Sequence, residues 1–145
     1  RGSGGERAGG SLSPRGPLTF LRGGFVAAML AQLWVLYLYV PSGSDAVSLP
    51  HADKIVHAAV FALPAFLGVL AGLRPSIVGA VLADHVPVSE VVQHLWIPAR
   101  AGDPWDVVAD VVGVLLGLAL GALMLRRVRR RETVTPDRHG AARAT

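Results

Sequence analysis

Residues 25–40 form an apolar run in which Gln32 is the only strongly polar side chain, and further long apolar runs occupy 55–73 and 107–125. Extended back to residue 19, the first reaches the roughly 20 residues that a bilayer crossing requires. A chain of 145 residues makes one small domain, and 52% apolar against 17% charged residues lies outside the balance of water-soluble domains. The sequence therefore reads as a polytopic membrane protein of the all-α class.

Charge is segregated along the chain. Residues 25–125 carry Lys54, Arg74 and Arg100 against seven acids, whereas the flanks carry eleven arginines against Glu6, Glu132 and Asp137. Arg126, Arg127, Arg129, Arg130 and Arg131 directly follow the last apolar run, the pattern that marks the cytoplasmic end of a membrane helix. The net charge of +4 is thus accounted for by topology, and no nucleic acid partner is expected. Cysteine is absent, which excludes disulfide scaffolds, thiolate zinc sites and cysteine nucleophiles.

A fourth span completes the count. Residues 77–83 are apolar, but Asp84, His85, Pro87, Ser89, Glu90, Gln93 and His94 follow before 95–98. A charge near the bilayer centre costs at least about 2.5 kcal/mol, so this segment either faces the bundle interior or forms a re-entrant or interfacial hairpin. The first run has its own alternative, a signal peptide behind a basic start, although it exceeds the usual apolar region of about 7–15 residues. Four spans put both arginine-rich ends and Arg74 on one side, the cytoplasmic side, with both termini. Trp34, Tyr37, Tyr39, Trp96 and Trp105 then fall at the outer boundary as interfacial anchors. The expected organisation is a disordered tail at 1–17, a four-helix transmembrane domain at 18–126 and a basic disordered tail at 127–145.

In that topology the polar residues of three helix ends converge on the outer face. Asp53, Lys54 and His57 open the second span, Glu90, Gln93 and His94 end the third, and Arg100, Asp103, Asp106 and Asp110 lead into the fourth. Asp53 and His57 are i, i+4, and Asp106, Asp110 and Gly113 continue down one helical face. That face also carries Gly113, Gly117 and Gly121, a small-residue seam suited to close helix packing, so the acids are expected to point inward. Lys54 is the one lysine beside thirteen arginines; it reads as an anion donor or, preferably, as an interfacial lysine paired with Asp53 or Asp106. His57 and His94 with the acids form a workable divalent-metal set, yet no tight ligand spacing such as HExxH occurs. A salt-bridge network around Lys54 and Arg100 is the preferred reading, with no metal or cofactor assigned. Asp84 and His85, deeper and beside Pro87, suggest a proton relay.

These motifs resemble the VanZ-like family of small bacterial membrane proteins. The matching residues are Asp53-Lys54-x-x-His57, then Glu90-x-x-Gln93, then Pro98-x-Arg100-x-Gly102-Asp103-x-x-Asp106-x-x-x-Asp110-x-x-Gly113 before a glycine-rich last span. The likeness covers about residues 20–126, with Asp110 standing where the family pattern has asparagine. It implies a multi-pass protein of the bacterial plasma membrane associated with low-level resistance to the glycopeptide teicoplanin. Three functions are compatible with the polar cluster: binding or modification of an amphiphilic envelope component, an enzyme acting on a lipid-linked substrate with Glu90 or His57 as general base, and a scaffold whose cluster pins helix ends.

The topology is open to direct test. Single cysteines at Val47, Arg74 and Ala101 are expected to react with an impermeant thiol reagent at 47 and 101 only; labelling of position 74 from outside contradicts the arrangement.

Overall fold

The computed structural model describes residues 16–39, 51–96 and 104–134. They form four helices, α1 (Gly16–Tyr37), α2 (Ala52–Leu70), α3 (Pro75–Trp96) and α4 (Pro104–Val134), and no strand occurs among the described residues. All four are long and apolar enough to cross a membrane. At a rise of 1.5 Å per residue, the 19 to 22 residues of α1 to α3 give lengths of about 28–33 Å, matching a hydrocarbon core of about 30 Å. Large apolar side chains cover the outside of the bundle, among them Leu30, Ile55, Val91 and Leu115, each more than half exposed. Lipid is the solvent that suits such a surface.

Local sequence explains where the helices begin and end. Pro17, Pro75 and Pro104 sit in the first turns of α1, α3 and α4, where a missing backbone N–H costs nothing. The end of α2 is a Schellman turn: Leu73 N–H donates to Gly68 O at 3.1 Å, and Gly72 N–H to Val69 O at 3.1 Å. Gly72 takes φ +83°, a left-handed conformation open to glycine at little cost, and so reverses the chain into α3 within four residues.

α3 is one continuous helix through Pro87, not a hairpin. Its interior residues Val78, Leu82, Val86, Ser89 and Gln93 are buried, so much of its polar content is turned into the bundle. α4 runs to Val134, eight residues into the stretch expected to be tail from 127. Arginine is a good helix former, and cations stabilise the last turn through the helix dipole. α1 opens at Gly16, two residues before the start expected at 18. Residues 1–15 and 135–145 lie outside the described residues.

Contacts fix the direction of each helix. Gly113 lies against Ala58, Gly117 against Ala62 and Ala65, and Gly121 against Phe66 and Val69, so α2 and α4 run parallel. Gly68 meets both Phe25 and Val78, while His57 and Glu90 lie together at the other end, so α3 is antiparallel to α2. α2 is the central helix and packs on all three others, whereas α1 and α4 do not meet. The core is Leu36, Phe61, Ala65, Val78, Leu82, Val86 and Val114. The up-down order leaves the start of α1 and the end of α4 at one end with Arg74, and the starts of α2 and α4 at the other.

The α2–α4 approach depends on the absence of side chains. A Cβ at Gly113 would overlap the carbonyl oxygen of Ala58, and one at Gly117 would overlap that of Ala62 and sit 2.7 Å from the Ala65 Cβ. Backbone cannot yield as a flexible side chain does. By contrast, nothing lies within 4 Å of a Cβ at Gly23 in α1. Gly117→Ala is therefore expected to destabilise the bundle by about 1–3 kcal/mol. Gly23→Ala should be neutral or stabilising by up to about 1 kcal/mol. Thermal unfolding in detergent checks both, and equal behaviour of the two variants contradicts the seam.

Candidate functional site

The polar end is built from the first two turns of α2 and of α4 and from the C-terminal part of α3. His57, on the second turn of α2, faces Asp110, on the second turn of α4, because the glycine seam holds the two helices in parallel register. His57 Nδ1 and Asp110 Oδ1 are hydrogen-bonded at 3.0 Å. Asp110 is fully buried and His57 is 7% exposed, so this is an interior pair. One helical turn nearer the end, Lys54 Nζ donates to Asp106 Oδ1 at 3.1 Å and to Asp53 Oδ2 at 2.9 Å. His57 Nε2 lies 3.8 Å from Asp106 Oδ2, which makes Asp106 the link between the lysine and the imidazole. The i, i+4 spacing of Asp106 and Asp110 thus becomes two rungs of a ladder between α2 and α4.

Glu90 of α3 completes the inner rung. One ligand-competent atom from each of His57, Glu90 and Asp110 lies within 4.8 Å of the other two. Asp110 has one carboxylate oxygen on His57 and the other, Oδ2, buried without a hydrogen-bond partner. On its outer side Glu90 also borders a recess of about 400 Å³ between α3 and α4, lined by Val91, His94, Leu95, Pro104 and Val107. The recess is mostly apolar and shallow, and Val91 and Leu95 on its wall are exposed.

Several residues singled out by sequence take other places. Gln93 is buried but turned to α1, where its Nε2 donates to Leu36 O at 3.0 Å. It pins α1 to α3 and does not join the inner rung. His94 is exposed and borders the recess without entering the His57 cluster. Asp53 is largely exposed, held by Lys54 alone among the described contacts. Lys54 bridges both carboxylates, Asp53 and Asp106, that its sequence position offered as partners. Asp84 is exposed on α3 and does not lie beside His85 in the interior. Arg100 and Asp103 lie outside the described residues.

Other interior polar residues carried weak sequence signals. Tyr37, expected as an interfacial anchor, turns inward, where its hydroxyl shares a 2.8 Å hydrogen bond with His85 Nε2. The His85 ring also packs near Phe61, with centroids 5.7 Å apart. Trp34, Tyr39, Trp96 and Trp105 remain exposed, as interfacial rings do. Gln32 is 1% exposed with both amide atoms lacking a partner, and it lies on the same face of α1 as Ala28 and Leu36. Its place as the one strongly polar residue in the first apolar run was the available signal. Ser89 satisfies itself locally, donating to Val86 O at 2.8 Å.

The burial of these groups ranks their importance for the fold. Asp110→Leu leaves the His57 imidazole buried with its carboxylate partner removed and is expected to cost about 1–3 kcal/mol. Asp53→Asn, at the exposed edge, should stay within about 0.5 kcal/mol of the parent. Thermal unfolding in detergent distinguishes them; an Asp110→Leu protein as stable as the parent contradicts the interior pair.

No family model, curated protein or solved structure matches the chain.

Proposed function

We propose that this chain is a VanZ-like, multi-pass protein of the bacterial plasma membrane that binds an amphiphilic component of the cell envelope at its polar end. Both termini are assigned to the cytoplasm, because Arg22, Arg74 and the arginines of α4 gather at the end opposite the acidic cluster. The cluster then faces outward. The observation that carries the reading is the double position of Glu90, which belongs both to the buried rung with His57 and Asp110 and to the wall of the recess. Apolar walls suit an acyl chain, and a polar group at the head of the recess suits the body of an amphiphile. A lipoglycopeptide such as teicoplanin has those two parts, which gives the family resemblance a physical basis.

The enzyme reading draws on the His57–Asp110 pair, since an imidazole oriented by a carboxylate is the usual general-base arrangement. Against it, the second ring nitrogen of His57 is directed to Asp106 and not to the recess. Binding is therefore ranked above catalysis, and the scaffold reading, which leaves the recess without a role, stands third. Lys54, already shared between Asp53 and Asp106, serves this site by holding α2 to α4.

Expression in a susceptible Gram-positive host tests the reading. The parent chain is expected to raise teicoplanin tolerance over the empty vector, and Glu90→Gln and Val91→Trp, at matched membrane abundance, to abolish the gain. A parent chain that behaves like the vector, or variants that behave like the parent, contradicts it.

A further inference from the structure

The inner rung of the polar end brings one imidazole and two carboxylates together from three separate helices. Asp110 is fully buried, and its Oδ2 has no hydrogen donor, a costly arrangement for a carboxylate that has left water. Such an oxygen is a ligand atom with no competing donor. His57 Nδ1 and Asp110 Oδ1 are joined by a 3.0 Å hydrogen bond, so both side chains can reach one ion once the proton between them is released. With a neutral imidazole, the three groups carry the formal charge of two carboxylates, equal and opposite to that of a divalent ion.

From this geometry we infer that His57, Glu90 and Asp110 form a binding site for one divalent first-row cation, Zn2+ by its nitrogen and oxygen donors. Each protein ligand comes from a different helix, so the bound ion ties α2, α3 and α4 together at the end where the recess opens. Seating a shared ion requires ligand-atom separations that now reach up to 4.8 Å to settle at about 3.4 Å. Asp106 is the positioning residue. It faces the second ring nitrogen of His57 at 3.8 Å and is itself held by Lys54 at 3.1 Å. A carboxylate behind the ligating histidine orients the ring and raises its basicity, a recurrent feature of metal sites. Three protein ligands leave further positions for water or for an oxygen of an incoming headgroup. His94, which the spacing of the sequence also offered as a ligand, borders the recess and is not one of the three.

The inference goes beyond the amphiphile reading and fails separately from it, since cation binding is measured on purified protein with the metal alone. The full chain, free of any histidine tag, is purified in detergent, stripped with a chelator and equilibrated with micromolar Zn2+. Gel filtration and elemental analysis then count the retained ion. The parent is expected to retain one equivalent, Glu90→Gln to bind at least about tenfold more weakly, and His94→Ala to match the parent. Retention by the parent no greater than by protein-free micelles overturns the site. So does a Glu90→Gln protein that binds as the parent does, or a His94→Ala protein that loses as much as Glu90→Gln. Should Glu90→Gln fail to fold, thermal unfolding of the parent decides: a chelator-reversible rise in Tm with Zn2+ supports the site, and an unchanged Tm overturns it.

Discussion

The rest of the polar end depends on how closely α4 lies against α2. Gly113 and Gly117 present bare backbone to the carbonyls of Ala58 and Ala62, and Gly121 to the Val69 side chain and the Phe66 carbonyl. In a membrane, association has little hydrophobic driving force, and close backbone packing with interhelical polar contacts takes its place. The seam supplies the first and sets the register for the second. With Gly113 against Ala58, Asp110, one turn before the glycine, meets His57, the residue next to Ala58, and one turn farther along both helices Asp106 meets Lys54. Bulkier residues along the seam would separate those pairs.

This arrangement reconciles an apolar outer surface with charges set within membrane-length helices. Asp110, His57, Gln93 and Ser89 are all turned inward, and three of the four have a hydrogen-bond partner on another helix: Asp110 and His57 on each other, and Gln93 on Leu36. Ser89 bonds its own helix. Glu90 sits where interior and surface meet, which is why the recess between α3 and α4 and the buried rung share a residue.

Much of this was legible in the sequence because helical periodicity and chain reversal are enough to bring helix ends together. The i, i+4 relation of Asp106 to Asp110 and the four-residue spacing of the glycines placed acids and seam on one face of α4 before any contact was known. What stayed hidden were choices between adjacent residues. Gln93 and His94 are neighbours of similar polarity, and the 100° between successive residues on α3 turns one toward α1 and the other outward. Tyr37 has the composition of an interfacial anchor, and its inward turn depends on His85, 48 residues away. The length of α4 was underestimated because charge ends an apolar run without ending a helix, and arginine continues one readily. Asp84 followed the opposite course from its neighbour His85 for the same angular reason.

The central claim is that the recess beside Glu90 receives an amphiphile. It is tested most directly by a photo-crosslinking amino acid placed at Val91 on the recess wall and, separately, at Leu116 on the outer face of α4, in cells that contain the native envelope components. The account predicts that position 91 captures a defined amphiphile, that Glu90→Gln abolishes this capture, and that position 116 yields only the average lipids of the surrounding membrane. Capture of the same average lipids at both positions would contradict it.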